Sequence, residues 1–171
     1  SMQTSVGCKI MVIDDLVDRE HTCNILLDQT LGRITDEYSG LVVKEAIILC
    51  GTKYSLLRPE FVKLRSDSLS RRASITRVSK ILITMGGVDE FNATRLVLDA
   101  LNCIDQIDSF TVTVVLGGLS SNLESVKIFK SYARFKVVIL TDVSNMAELM
   151  ADHDFAIGAA GSTAWERCCL G

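Results

Sequence analysis

Along the second half of the chain, short apolar runs alternate with segments of helical spacing. Ser79–Met85 (SKILITM) is a continuous apolar run that stops at Gly86-Gly87, the pattern of a strand buried on both faces. Ala93–Ile104 then places Leu96, Val97, Ala100, Leu101 and Ile104 on one helical face. Phe110–Leu116 is a β-branched run ending at Gly117-Gly118. Leu123–Tyr132 returns to helical spacing, carried on through Val126, Phe129 and Ala133. Phe135–Leu140 and Asp154–Gly158 predict two more strands, and Val143–Ala151 and Ser162–Leu170 two more helices. Four strand–helix alternations with short connections predict a parallel sheet covered on both faces, because βα crossovers are right-handed. Such sheets gather ligands at the carboxyl ends of their strands. The loops after Met85 and after Ile157 both fall on that edge.

The first half is less regular. Lys9–Ile13 predicts a lone buried strand running into Asp14-Asp15, and Ile25–Leu27 a short strand ending at Asp28-Gln29. Ala46–Cys50 is ambiguous, and Pro59–Leu64 reads as a helix with proline in its first turn. The polar, basic stretch from Arg65 to Arg77 (RSDSLSRRASITR) reads as a connector. Basic residues number 11 against 10 acidic ones in 1–77 and 7 against 11 in 78–171, which points to a boundary near residue 78. The expected organisation is therefore a unit with its connector over 1–77 and a Rossmann-like unit over 78–171. Both ends of the chain look cut, as in an excised piece of a longer enzyme.

Composition narrows the class. With 171 residues, 48% of them hydrophobic, the chain can bury a core, and disorder is excluded. Eighteen basic against 21 acidic residues leave no excess for a phosphate backbone, so no nucleic-acid partner is expected. No apolar run reaches the roughly 18 residues of a membrane span, and the opening SMQTSVGCKIMVIDD has none of the marks of a secretion signal. The six cysteines form no CxxC pair and read as reduced, structural thiols of a cytoplasmic protein.

Three segments could carry chemistry. In GAAGSTAWE (Gly158–Glu166) a strand delivers small residues to a helix start, where free N–H groups and the helix dipole favour an anion. Ser162 is a natural N-cap, Ser162 and Thr163 add hydroxyl donors, and Glu166 shares a helix face with Ser162, within reach of ribose hydroxyls. The same residues also read as an ordinary tight turn and capped helix. In MGGVDEFN (Met85–Asn92), Gly86 and Gly87 permit a positive-φ turn and Asn92 an N-cap, beneath a phosphate or as plain structure. After the first strand, Asp14, Asp15, Asp18, Arg19 and His21 fall within eight residues. They could bind sugar hydroxyls, supply a base, ligate a hard metal or form a structural Arg–Asp network, but no second acidic cluster completes a metal cage. His153 reads as capping or exposed, and Arg58 with Glu60 as an interdomain ion pair.

Together, IDDLVDREHTCNILLDQT (Ile13–Thr30), YSLLRPEF (Tyr54–Phe61), ILITMGGVDEFNAT (Ile81–Thr94) and DFAIGAAGSTAWERCCLG (Asp154–Gly171) resemble, in order, the signatures of a known family. It comprises the UDP-sugar hydrolase of bacterial pseudaminic acid biosynthesis and its spore-coat polysaccharide relatives. The resemblance implies an α/β, two-domain GT-B architecture akin to the UDP-N-acetylglucosamine transferase of peptidoglycan synthesis, with part of the N-terminal and most of the C-terminal domain present. It implies that water releases UDP and free sugar from UDP-2,4-diacetamido-2,4,6-trideoxy-β-L-altropyranose, with no metal or organic cofactor. UDP would be held by Gly161, Ser162, Thr163, Glu166 and the Gly86-Gly87 loop, with Asp14, Asp15, Asp18 and His21 on the sugar side. The chain departs from the pattern in lacking the family's Gly-x-Gly-His loop, so the catalytic base is unassigned and the chain alone is expected to be inactive. Asn24 stands where aspartate is common, and Thr30 where asparagine is. Transfer of a UDP-sugar to an acceptor, and non-catalytic nucleotide-sugar binding, are the competing readings.

Overall fold

A computed structural model describes residues 7–105 and 109–171. The chain forms two compact units, Ser1–Leu56 and Leu57–Gly171.

In the first unit, β1 (Met11–Ile13), β2 (Ile25–Asp28) and β3 (Ile47–Cys50) make a parallel sheet with β2 in the centre. The strand expected to stand alone is thus paired along its whole length with β2, and the ambiguous Ala46–Cys50 supplies the third strand. β2 is the most buried of the three, as its central place requires. Leu26 packs with Cys23, Tyr38 and Cys50, while the alternate positions Met11, Ile13 and Ile47 are more than half exposed.

The second unit holds α1 (Pro59–Ala73), β4 (Lys80–Thr84), α2 (Ala93–Asn102), β5 (Thr111–Leu116), α3 (Leu123–Lys130), β6 (Lys136–Thr141), α4 (Met146–Asp152), β7 (Phe155–Gly158) and α5 (Ser162–Leu170). Its strands are parallel in the order β6-β5-β4-β7. Side chains alternate between the faces. Ile81, Ile83, Val112 and Val114 pack with Leu98, Val126 and Phe129 of α2 and α3. Leu82 and Val115 pack with Phe61, Met150 and Leu170 of α1, α4 and α5. Burial on both faces explains why β4 and β5 read as unbroken apolar runs. The fold is α/β and Rossmann-like.

One sequence reading is overturned by the fold, and another is met in one of its alternatives. Residues 65–73 of the stretch read as a connector are the body of α1, which runs nine residues past Leu64 to Ala73 and belongs to the second unit. Its polar side chains are used rather than solvated. Arg65 donates to the Cys169 carbonyl, the Ser68 hydroxyl to the Leu170 carbonyl at 2.8 Å, and Arg72 Nε to the same carbonyl at 3.1 Å. These are carbonyls of the last turn of α5, which have no intrahelical partner. Of the two readings of His153, capping holds: it follows α4 as its C-cap and is buried. Its Nδ1 lies 2.6 Å from the Leu149 carbonyl, which can only accept, so Nδ1 carries the hydrogen and Nε2 meets the Thr113 hydroxyl at 2.8 Å. Among the described residues no helix is long and apolar enough to cross a membrane.

Candidate functional site

The pairing of β4 with β7 sets Thr84 opposite Gly158. The loops that follow, 85–92 and 159–161, therefore leave the sheet side by side at its carboxyl edge. They end in helix starts of opposite character.

At α2 the free N–H groups are already taken. The Asp89 carboxylate accepts from Ala93 N (2.8 Å) and Thr94 N (3.0 Å), and the Asn92 side chain, the expected N-cap, accepts from Arg95 N (3.3 Å). Gly86 has the positive φ that the turn requires (86°), and a Cβ on Gly117 would lie 2.5 Å from the Gly87 carbonyl oxygen, so the two glycine loops touch backbone to backbone. The Gly86-Gly87 loop is thus closed on itself by a carboxylate of its own.

At α5 the N-cap is Gly161, not Ser162. Its φ of 114° lies where only glycine is unstrained, and the turn it makes puts Ser162 one position inside the helix. No side chain caps this end, and no acidic residue lies in the first turn. The starts of α1, α3 and α4 carry Glu60, Glu124 and Glu148, and α2 borrows Asp89. Among the described α-helices, α5 alone has no acidic residue at its start, of its own or borrowed, leaving its N–H groups and positive dipole end free of carboxylate. Ser162 is exposed and Thr163 half-buried. Beneath the loop, Arg167 Nη2 donates to the Ala159 carbonyl at 2.8 Å and Nη1 approaches the Thr163 hydroxyl at 3.4 Å. Gly158 is required there, because a Cβ would collide with the Arg167 guanidinium and lie 2.7 Å from the Thr84 carbonyl oxygen.

Glu166, one turn further, is 7% exposed. It is neither solvated nor tied to the helix dipole, since its Oε1 accepts from Arg58 Nε at 2.9 Å. Arg58 also pairs with Glu60 (3.2 Å), and both partners lie in the second unit. The pair expected to be interdomain therefore lies within one unit, and Glu166, for which the sequence offers no protein partner, joins it.

In the first unit the structure joins only part of the expected acidic group. Asp14 Oδ1 faces His21 Nε2 at 3.6 Å, and that buried nitrogen has no hydrogen bond. Asp15 is exposed and contributes its carbonyl to Arg33 (2.8 Å); Asp18 forms an exposed pair with Arg19. The Arg–Asp network runs instead through Arg33, which donates to Asp28 (2.5 Å) and Glu37 (2.7 Å). The Tyr38 hydroxyl lies 2.9 Å from both Asp14 Oδ2 and Asp28 Oδ2. Burial raises the pKa of each aspartate, but it is outweighed: at Asp14 by the Val17 N–H, Tyr38 and His21, and at Asp28 by Thr30, Tyr38 and Arg33. Both carboxyls stay below the ordinary range. Burial and the two carboxylates push the Tyr38 phenol far above its usual value. The signal for Asp28 was in the sequence: β1 and β2 each run into an aspartate, and the register Ile13↔Leu27 sets the two level. Tyr38, on a 3-10 turn, gave no such signal. Among the described residues no three His, Cys, Asp or Glu side chains are grouped to hold a metal ion.

Comparison with known proteins bears on this geometry. The sequence is 24% identical over 169 residues, 99% of this chain, to the UDP-2,4-diacetamido-2,4,6-trideoxy-β-L-altropyranose hydrolase of Campylobacter jejuni. It is 29% identical over 122 residues to the spore coat polysaccharide biosynthesis protein SpsG of Bacillus subtilis, and 37% identical over 123 residues to an uncharacterised protein of Methanocaldococcus jannaschii. The chain is a distant homologue of these proteins. It spans 57%, 34% and 25% of their respective lengths, and no family model matches it.

Proposed function

We propose that this chain carries the nucleotide-diphosphate-binding portion of a UDP-sugar-processing protein of bacterial surface polysaccharide synthesis, with a GT-B arrangement. The observation that carries the reading is the start of α5, a helix end free of carboxylate at the edge of a Rossmann-like sheet, with small residues leading into it. The N–H groups of Ser162 and Thr163 and their hydroxyls would take the diphosphate, and the Glu166 carboxylate the ribose hydroxyls. In the homologue from Campylobacter jejuni the name states hydrolysis of a UDP-sugar. By extension, water would break the bond between the anomeric carbon and the leaving oxygen. The helix end would then stabilise the charge that gathers on the departing diphosphate, where such stabilisation lowers the barrier.

The base that activates water is not assigned to His21, whose Nε2 is buried against Asp14. No Gly-x-Gly-His sequence occurs in the 171 residues, so the chain alone is expected to bind UDP without turning over a UDP-sugar. Calorimetric titration tests the site: UDP binds the wild-type chain, and Glu166→Ala weakens it by about 1–3 kcal/mol, the cost of hydrogen bonds to a charged group. Absence of UDP binding at millimolar concentration overturns the reading. Equal affinity in the two proteins removes Glu166 from it. The relation to a spore coat polysaccharide biosynthesis protein supports transfer to an acceptor as the second reading. A protein of this family that carries the histidine loop separates the two, by releasing free sugar in water alone or only when an acceptor is added.

A further inference from the structure

Arg58 has no place in the reading above, yet it makes the one hydrogen bond to the Glu166 carboxylate among the described residues. Pro59 begins α1 and restricts the residue before it, which accordingly sits extended at φ −66°, ψ 141°. Three contacts then fix the guanidinium. Nε donates to Glu166 Oε1 at 2.9 Å, Nη1 pairs with Glu60 at 3.2 Å, and the group lies 4.8 Å from the centre of the Phe61 ring, itself fully buried. The Glu166 side chain is 9% exposed against 47% for Arg58. A carboxylate so withdrawn from water needs hydrogen-bond donors in place of the water it has lost. Arg58 bonds only one of its oxygens. Among the described residues nothing bonds Oε2, so a carboxylate clamped at one oxygen keeps the other as a fixed acceptor, one turn beyond Ser162.

We propose that Arg58 is the positioning residue for the ribose-binding carboxylate, holding Glu166 in the orientation by which the site prefers ribonucleotides to 2′-deoxyribonucleotides. This rests on the assignment of UDP to the start of α5. Arg58 acts through Glu166 and touches neither phosphate nor base, and its loss should be felt only by ligands that offer ribose hydroxyls.

The test is calorimetric titration of the whole 171-residue chain with UDP, 2′-deoxy-UDP and inorganic pyrophosphate, in wild type, Arg58→Ala, Arg58→Lys, Glu166→Ala and the double variant Arg58→Ala/Glu166→Ala. In Arg58→Ala, UDP affinity is expected to fall about tenfold, the size of one charge-assisted hydrogen bond. Pyrophosphate affinity should stay within about twofold, and the preference for UDP over 2′-deoxy-UDP should shrink. Arg58→Lys, which keeps the charge without the fork, should recover part of the loss, and the double variant should bind UDP no more weakly than Glu166→Ala. Should Arg58→Ala fail to fold, Arg58→Lys carries the test, with a smaller loss confined to the ribonucleotide. Parallel loss of UDP and pyrophosphate overturns the proposal, as does unchanged UDP affinity in both Arg58 variants. A wild-type chain that binds pyrophosphate but not UDP overturns it together with the UDP assignment. One that binds UDP with no response at Arg58 leaves that assignment standing.

Discussion

Asp154→Ala is expected to destabilise the second unit by about 3–5 kcal/mol, the range for removing one partner of a buried ion pair. The carboxylate lies between α4 and β7 with its side chain 4% exposed. It accepts from Ser79 N (2.8 Å), Lys80 N (2.9 Å), the Ser79 hydroxyl (2.9 Å) and Arg71 (2.5 Å). It thereby ties the entry of β4, the entry of β7 and the last turn of α1 to one point. Truncation leaves two backbone donors and a guanidinium without their acceptor. Urea unfolding followed by Trp165 fluorescence measures the loss, and a change below about 1 kcal/mol would contradict this account. The same residue sets a pH dependence. Burial works to raise its pKa, but the Lys80 and Ser79 N–H groups, the Ser79 hydroxyl and Arg71 overcome that and hold the carboxyl far below the ordinary range. The stabilisation is therefore complete above the unfolded-chain value of about 4 and is lost as pH falls below it toward the folded value. Asp154→Ala should show a flatter decline of stability than wild type between about pH 4 and pH 2.

Asp28→Ala is expected to cost the first unit a similar amount, about 3–5 kcal/mol, with a graver outcome. Asp28 is fully buried and accepts from Thr30 N (2.8 Å), Arg33 (2.5 Å) and Tyr38 (2.9 Å). A unit of 56 residues has roughly 3–8 kcal/mol of total stability at the usual density per residue. The variant should therefore lose hydrogen-exchange protection across β1, β2 and β3 while β4–β7 stay protected. Protection retained in β1–β3 would show that the buried carboxylate is dispensable.

How much of this was legible follows from what buried each element. β4 and β5 are covered on both faces, so their sequences had to be continuous apolar runs, and the α/β alternation was readable from them alone. α1 was half hidden because one side of it is buried through hydrogen bonds rather than methyl groups: Arg65, Ser68 and Arg72 serve the end of α5, and no hydrophobic period records that. The capping role of His153 was legible, but its burial was not, since a polar side chain between an α4 carbonyl and Thr113 is buried without being apolar. At the candidate site, the small residues and the glycine turn before α5 were visible. The difference between the two helix starts was not, because Asp89 is four and five residues from the two N–H groups it occupies, and only the fold shows which way it turns. Arg58 and Glu166 stand 108 positions apart, so their bond had no local signature.

A phenol has a single hydrogen to give, and in the first unit two claimants stand equally near it. When Tyr38 donates to Asp28, Asp14 keeps the Val17 amide (3.0 Å); when it turns to Asp14, Asp28 still has Thr30 and Arg33. The carboxyl ends of neighbouring strands are thus latched by one shared atom, and whatever releases either aspartate hands that atom wholly to the other.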